Sequence, residues 1–384
     1  MKRILVVLGV LVALGIAFVH WVLPGRVEAS MNTVLEHPDY KIGEQAQRLH
    51  DSLFVVDLHS DSLLWKRDLT KESAIGHVDI PRLKAGNVAL QVFSATTKSP
   101  ADLNYSSNTD SSDDITLLAV ASFWPPRTWF SLFERAAYQN EKLHRFADAS
   151  DLVLIENKQD LQRLVAARAN GEKLVGALYL IEGAHPLEGN IENLDRLFDK
   201  GLRIAGLTHF FDNELGGSAH GQSQAGLTAF GKEVVNKMNE KGIFIDLAHC
   251  SPAIVDDVLA MTDKPVIVSH TGVRGVLDSP RNLSDLHIQK IAENGGIIGI
   301  AFFDEAVGVP ELPNIIASIK HVRDLVGIEY VALGSDYDGA VAVPFDITGF
   351  PLLVEGMMNQ GFNETEIQAV MGENIKRFFL QNLN

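Results

Sequence analysis

An eight-stranded α/β barrel, a (β/α)8 barrel of the TIM type, is the fold this sequence predicts, on three observations. Short apolar, β-branched runs recur eight times, at 53–57, 88–93, 174–181, 202–207, 242–247, 265–269, 296–302 and 330–334. They are apolar continuously rather than alternately, the mark of strands buried on both faces of a parallel sheet. Polar clusters and helical sequence fill the gaps between them, giving the βαβα rhythm of a barrel. An open doubly wound sheet is the structural alternative, but no Gly-rich dinucleotide turn follows the first run.

Taken in order, the chain begins with Lys2 and Arg3, then an uncharged stretch, 4–19, then His20, Trp21, Val22, Leu23 and Pro24. That is about 20 residues, the length a helix needs to cross a bilayer. An uncleaved anchor would set Trp21 at the interface and hold the basic end inside. A secreted chain would instead be cut near Val27-Glu28-Ala29, a small-residue site. Either way the body lies outside the cytoplasm: membrane-anchored and extracytoplasmic (periplasmic or extracellular), or secreted. We divide the chain into an anchor or signal segment (1–24), a linker with a lead-in helix (25–50) and the barrel domain (51–384). After the second run, 94–173 is far too long for a plain βα loop. It holds the aromatics Trp124, Trp129 and Phe130, helical sequence, and a short strand-like run at 152–155 outside the barrel. We read it as a helical excursion packing those aromatics on the barrel, with a substrate lid or partner surface as the alternative. Further on, Leu227, Phe230, Val234, Val235 and Met238 share one helical face and Gly242 is placed to stop that helix. Near the end, Asn363 and Glu366 form a capping-box pattern ahead of Ile367, Val370, Met371, Ile375 and Phe378.

Composition narrows the chemistry. The 384 residues carry 33 Lys+Arg against 49 Asp+Glu, a formal net charge of −16, with 46% hydrophobic and 21% charged residues. That is a packed globular chain, and its acidity argues against a nucleic-acid partner, which would need clustered positive charge. Cys250 is the only cysteine, so no intrachain disulfide and no cysteine-built zinc site can form. Any metal must be held by His, Asp and Glu.

In a parallel barrel the active site lies where the strands end. The first run closes with Asp57-Leu58-His59-Ser60-Asp61, and strand alternation puts His59 and Asp61 on one side. Later runs close with Glu182-Gly183, Thr208-His209, Ala248-His249, Ser269-His270 and Ser335-Asp336-Tyr337-Asp338-Gly339. Each motif alone has a structural reading: a packing histidine, a turn-forming Asp, a Glu paired with a base. Six strands delivering ionisable groups to one rim would cost stability through desolvation unless a cation neutralised them. Imidazole with carboxylate favours zinc over magnesium or calcium. Three His, one Asp and one Glu exceed what a single open catalytic zinc needs, and suit two ions about 3.5–4 Å apart sharing a carboxylate. Such a pair turns a bridging water into hydroxide near neutral pH and polarises a carbonyl, which is amide or ester hydrolysis.

These ordered motifs, with Gly226-Leu227-Thr228-Ala229-Phe230-Gly231, Ile245-Asp246-Leu247-Ala248-His249, Arg281-Asn282 and Gly372-Glu373-Asn374, make the chain similar to the membrane (renal-type) dipeptidase family. These are the zinc peptidases of family M19, in the amidohydrolase-like barrel group, and the likeness covers about 53–379. The resemblance implies two zinc ions per subunit, with His59 and Asp61 on the first, His249 and His270 on the second, and Glu182 bridging. It implies that His209 contacts the substrate carbonyl and steadies the oxyanion. Arg281, eleven residues after His270, would clamp the substrate carboxylate, and Asp336 would move the proton. The expected activity is hydrolysis of a small dipeptide, and the family's habit makes a homodimer an expectation. Alternative readings are a related amidohydrolase acting on N-acyl amino acids, lactones or β-lactams, and a non-catalytic membrane-tethered binding protein. The Gly-rich segment 210–221 departs from the family pattern and leaves the substrate rim open.

Overall fold

The computed structural model describes residues 2–37 and 40–384; positions 1, 38 and 39, within the expected N-terminal segment and linker, lie outside the described residues. Eight parallel strands form the barrel: β1 (Val55–Ser60), β2 (Val88–Thr96), β3 (Val175–Glu182), β4 (Leu202–Gly206), β5 (Phe244–Asp246), β6 (Ile267–Thr271), β7 (Ile297–Ile300) and β8 (Val331–Leu333). Each falls on one of the eight apolar runs, and sequential strands are hydrogen-bonded neighbours from β1 to β8. The seam between β8 and β1 is closed largely by side chains. Ser335 N donates to Asp57 Oδ1 (2.8 Å) and Ser335 Oγ to Asp57 Oδ2 (2.9 Å). Just beyond, Asp61 N donates to Tyr337 O (2.9 Å), making one parallel bridge, Ser60 to Tyr337.

Alternation along β1 explains how one strand serves both core and site. Val56 and Leu58 join an apolar cluster with Leu90, Val92, Leu178, Leu180 and the C-terminal Phe378 and Phe379. Asp57 and His59 therefore take the opposite side. Each such buried aliphatic contributes about 1.5–3 kcal/mol.

The helix expected from 226 runs Ala229–Lys241, its N-terminus capped by Thr228 Oγ1, which accepts from Gly231 N, and it ends at Gly242. The Asn363/Glu366 capping box forms, but the helix it starts is not continuous. It runs Glu364–Gln368, loosens into a π turn at Ala369–Glu373, and resumes as Asn374–Asn382. The kink sits at Gly372, where a Cβ would lie 1.8 Å from Phe54 O, a close approach that periodicity cannot signal.

The excursion after β2 contains helices Asp114–Ala121, Leu132–Asp148 and Lys158–Ala169, and the short strand Leu152–Leu154, which pairs with β3 beside the barrel path. Trp124 is buried with Leu64, Trp65, Ile115 and Ala119, and Trp129 packs on the same cluster. Phe130 is 89% exposed. The buried Arg135 ties the excursion down by donating to the carbonyls of Thr97, Thr128 and Trp129 and pairing with Asp113.

Arg3–Met31 is a helix long and apolar enough, by length and composition, to cross a membrane, and the residues of its most apolar window are exposed. At 29 residues it is about 43 Å long. Within the 25–50 stretch, Thr33–Val34 pairs in parallel with Ala342–Val343, and Glu44–Asp51 is a helix burying Ala46, Leu49 and His50.

Candidate metal centre

The expected ligand residues converge at the C-terminal ends of β1, β3, β5 and β6. Glu182 Oε1 is 3.4 Å from His59 Nε2, 3.3 Å from His249 Nε2 and 3.3 Å from His270 Nε2. Asp61 Oδ2 lies 3.6 Å and Asp336 Oδ1 4.0 Å from His59 Nε2. His209 Nε2 faces the other Glu182 oxygen at 3.4 Å, and His249 Nε2 is 3.0 Å from His270 Nε2. His59, Asp61 and Glu182 form one compact ligand triplet; Glu182, His209 and His249, and His59, His270 and Asp336, form two more.

Local backbone geometry aims these groups. His249 (φ 61°) and Asp336 (φ 64°) hold left-handed backbone just past their strands, at a cost of about 1–2 kcal/mol each. After Glu182 the chain turns at Gly183 (φ +76°), where a Cβ would meet His185 Cε1 at 2.5 Å and His209 Cβ at 3.1 Å. Only glycine lets His209 lie against this turn.

Ser269 sets the imidazole tautomers. Its hydroxyl donates to Asp246 Oδ2 (2.6 Å). Having one proton, that hydroxyl must accept from His59 Nδ1 (3.2 Å) and His270 Nδ1 (2.9 Å). Both Nε2 atoms then face Glu182, as in the carboxylate-supported histidines of metal sites. Thr96 Oγ1, at the end of β2, lies 2.8 Å from Asp61 Oδ1 and 3.0 Å from Glu182 Oε2.

Charge in this site is unbalanced. Burial, reinforced by Asp61, holds the Glu182 carboxyl well above the carboxylate range. Burial likewise lifts Asp336 to about 7. Burial would lower His59, yet the Glu182 and Asp61 carboxylates raise it to about 10. Burial pushes His209, His249 and His270 well below the usual imidazole value, so they are neutral donors. His59 Nε2 has no hydrogen-bond partner among the described residues. Neutral imidazoles, an orphaned buried nitrogen and carboxylates massed beside it fit a divalent cation, which would replace the proton His59 otherwise holds.

A cavity of about 470 Å³ opens on this cluster, lined by the polar Asp61, Glu182, His209 and Asp336 and by the apolar Leu64, Trp65, Ile115 and Leu118. Arg281 lines a smaller adjoining cavity of about 110 Å³, with His249 shared between the two. Its Nη2 donates to His270 O (2.7 Å), while the buried Nε has no partner among the described residues. The segment 210–221 supplies Phe210 to the cavity and His220, which packs on His249 with ring centroids 5.3 Å apart.

Three supporting residues escaped the sequence reading. Thr96 lies three positions past its apolar run and carries no local signal. Ser269 and Asp246 could have been found from one rule: an isolated acid inside an apolar strand, such as Asp246, must have a buried partner.

A parallel α/β barrel with a buried His/Asp/Glu cluster at its C-terminal rim defines a metal-dependent hydrolase. The comparisons with known proteins narrow the class. The family model for the membrane dipeptidases, peptidase family M19, matches residues 43–383, and the chain belongs to that family, a family of metallodipeptidase hydrolases. Dipeptidase 3 of Mus musculus is 28% identical over 367 residues, covering 89% of this chain and 67% of the relative. Among solved structures, a metallo peptidase from Rhodobacter sphaeroides liganded with a phosphinate mimic of the dipeptide L-Ala-D-Ala superposes with a TM-score of 0.69 at 24% identity, covering 86% of this chain and 99% of that one. The probable dipeptidase PvdM from Pseudomonas aeruginosa does so with a TM-score of 0.70 at 17% identity, covering 88% and 98%. At these identities the structural likeness speaks for the fold.

Proposed function

We propose that the chain is a zinc-dependent dipeptidase, hydrolysing the single peptide bond of a dipeptide at a two-metal site. His59 and Asp61 would hold one ion, His249 and His270 the other, with Glu182 between them. The observation that carries the reading is Glu182 Oε1 lying within 3.3–3.4 Å of three imidazole nitrogens from three other strands. When bound, the ions supply an acidified water and a Lewis acid for the carbonyl oxygen.

The chain's own groups do the rest. Arg281, buried with an unpaired Nε, would receive the substrate carboxylate. His209, neutral and at the edge of the cavity, would donate a hydrogen bond to the carbonyl oxygen as negative charge develops there. Asp336, whose carboxyl sits at about 7, can accept a proton from water and pass it to the leaving amine. Leu64, Trp65 and Ile115 give the cavity an apolar lining.

The test is metal analysis coupled to turnover on a small dipeptide library, with N-acyl amino acids, lactones and a β-lactam alongside. We expect about two equivalents of zinc and activity confined to dipeptides or highest on them. A Glu182→Ala or His249→Ala variant with undiminished activity would sink the proposal. We further propose that the N-terminal helix tethers the barrel domain on the extracytoplasmic side. Protease digestion of sealed vesicles should remove the barrel domain only when the outer face is exposed.

A further inference from the structure

The helix that starts as the apolar N-terminal segment does not stop at the edge of the barrel domain. Its last turns, Leu23–Met31, run onto the mouth of the site, where Val27 and Met31 line the same cavity as Asp61 and Asp336. Val27 also packs on the cluster formed by Leu64, Trp65, Ile115 and Trp124.

Five further contacts hold this stretch and the residues flanking it in place. Glu28 is buried, and its carboxylate pairs with the Arg67 guanidinium, which also pairs with Asp338, two residues beyond Asp336. Asn32 Oδ1 accepts from Ala340 N (2.8 Å), and Leu35 N donates to Val343 O (2.9 Å), so the chain continues as a strand beside the loop after β8. Upstream, the His20 ring stacks on Phe123 at 3.9 Å, and Lys66 donates to His20 O. A free linker has no reason to bury a carboxylate; this one is buried against the cation that also neutralises Asp338.

We propose that residues 24–34 are a working part of the substrate pocket, with Val27 and Met31 as the wall that receives an apolar substrate side chain, so that the enzyme acts with its N-terminal helix retained. The proposal rests on the dipeptide reading of the cavity. The side chain is that of the amino-terminal residue: Val27 and Met31 line the cavity that opens on the metal site, while Arg281, which would hold the carboxyl-terminal end, opens on the other cavity. Cutting after Ala29 would remove Val27 from the cavity lining and take from Arg67 its partner Glu28.

Two measurements on the full-length chain, solubilised from the membranes of expressing cells, decide it. The first is the intact mass of the mature protein, expected to include residues 24–34; a mature N-terminus at residue 30 overturns the proposal. The second compares KM for Leu-Gly and Gly-Leu in the wild type, Val27→Ala and Met31→Trp. Both variants should change the KM ratio by about fivefold or more, as expected for altering one apolar contact. The exposed Phe130→Ala serves as the control and should leave both peptides unchanged. A wild type active on both peptides whose ratio is the same in both variants overturns the pocket wall. A wild type that cleaves neither peptide overturns the dipeptide reading, and the wall with it.

Discussion

At the scale of single residues, the centre depends on groups that never touch the substrate. Ser269 is the clearest case, because one hydroxyl orients two imidazoles through their Nδ1 atoms. Ser269→Ala should weaken zinc binding by about 10–100-fold, the usual cost of losing such outer support, measured by competition with a chromogenic chelator. A loss confined to kcat, with zinc affinity unchanged, would contradict this role. The ligand-type residues themselves were legible because they close six apolar runs, and a barrel turns that local position into a shared rim. Thr96 was not legible: what places it between Asp61 and Glu182 is the register of β2 against β3, a long-range quantity.

Among the elements, the β8–β1 seam and the long helix of the excursion make the most specific demands. Asp57 accepts from Ser335 N, Ser335 Oγ and Gln91 Nε2, replacing the ladder bonds that a short β8 cannot provide. Asp57→Asn presents an amide where donors point and should cost about 2–4 kcal/mol of unfolding free energy, read from urea denaturation. On Leu132–Asp148, the buried Lys142 donates to Leu63 O (2.7 Å) and Trp65 O. Burial, only partly offset by Glu28, lowers it from 10.5 to about 7. Between those two values the unfolded chain binds the proton more tightly, so this residue makes stability rise with pH, and the gain disappears as pH falls through 7. Urea midpoints of the wild type relative to Lys142→Met should therefore climb from pH 7 to pH 10; a flat difference would refute the assignment. The periodicity of 226–241 located its helix well, because one apolar stripe decides it. The C-terminal pattern missed its π turn, because Phe54 O, more than 300 residues away in sequence, forces the kink at Gly372.

For the whole molecule, the rim couples metal to stability. His59, Glu182, His249 and His270 come from four strands, so a cation bound among them would crosslink half the barrel. Without it, Glu182, Asp61 and Asp336 repel one another in a buried site. Chelation should lower Tm by several degrees, since a ligand at a hundred times its Kd contributes about 2.7 kcal/mol. Re-addition of zinc should restore both Tm and turnover in scanning calorimetry with a parallel assay. An unchanged Tm after verified metal removal would mean that the cluster is held by protein contacts alone.

Sequence by itself determined the barrel, the order of its strands and the residue types at its rim, because burial on both faces and strand-end polarity are local patterns. Tertiary structure alone decided the fit between parts distant in the chain: Ser269 beneath two imidazoles, Asp57 across the closing seam, and Val27 and Met31 at the mouth of the cavity. Those contacts follow from how helices and strands are positioned in three dimensions, and a hydrophobic pattern carries no information about position beyond its own element.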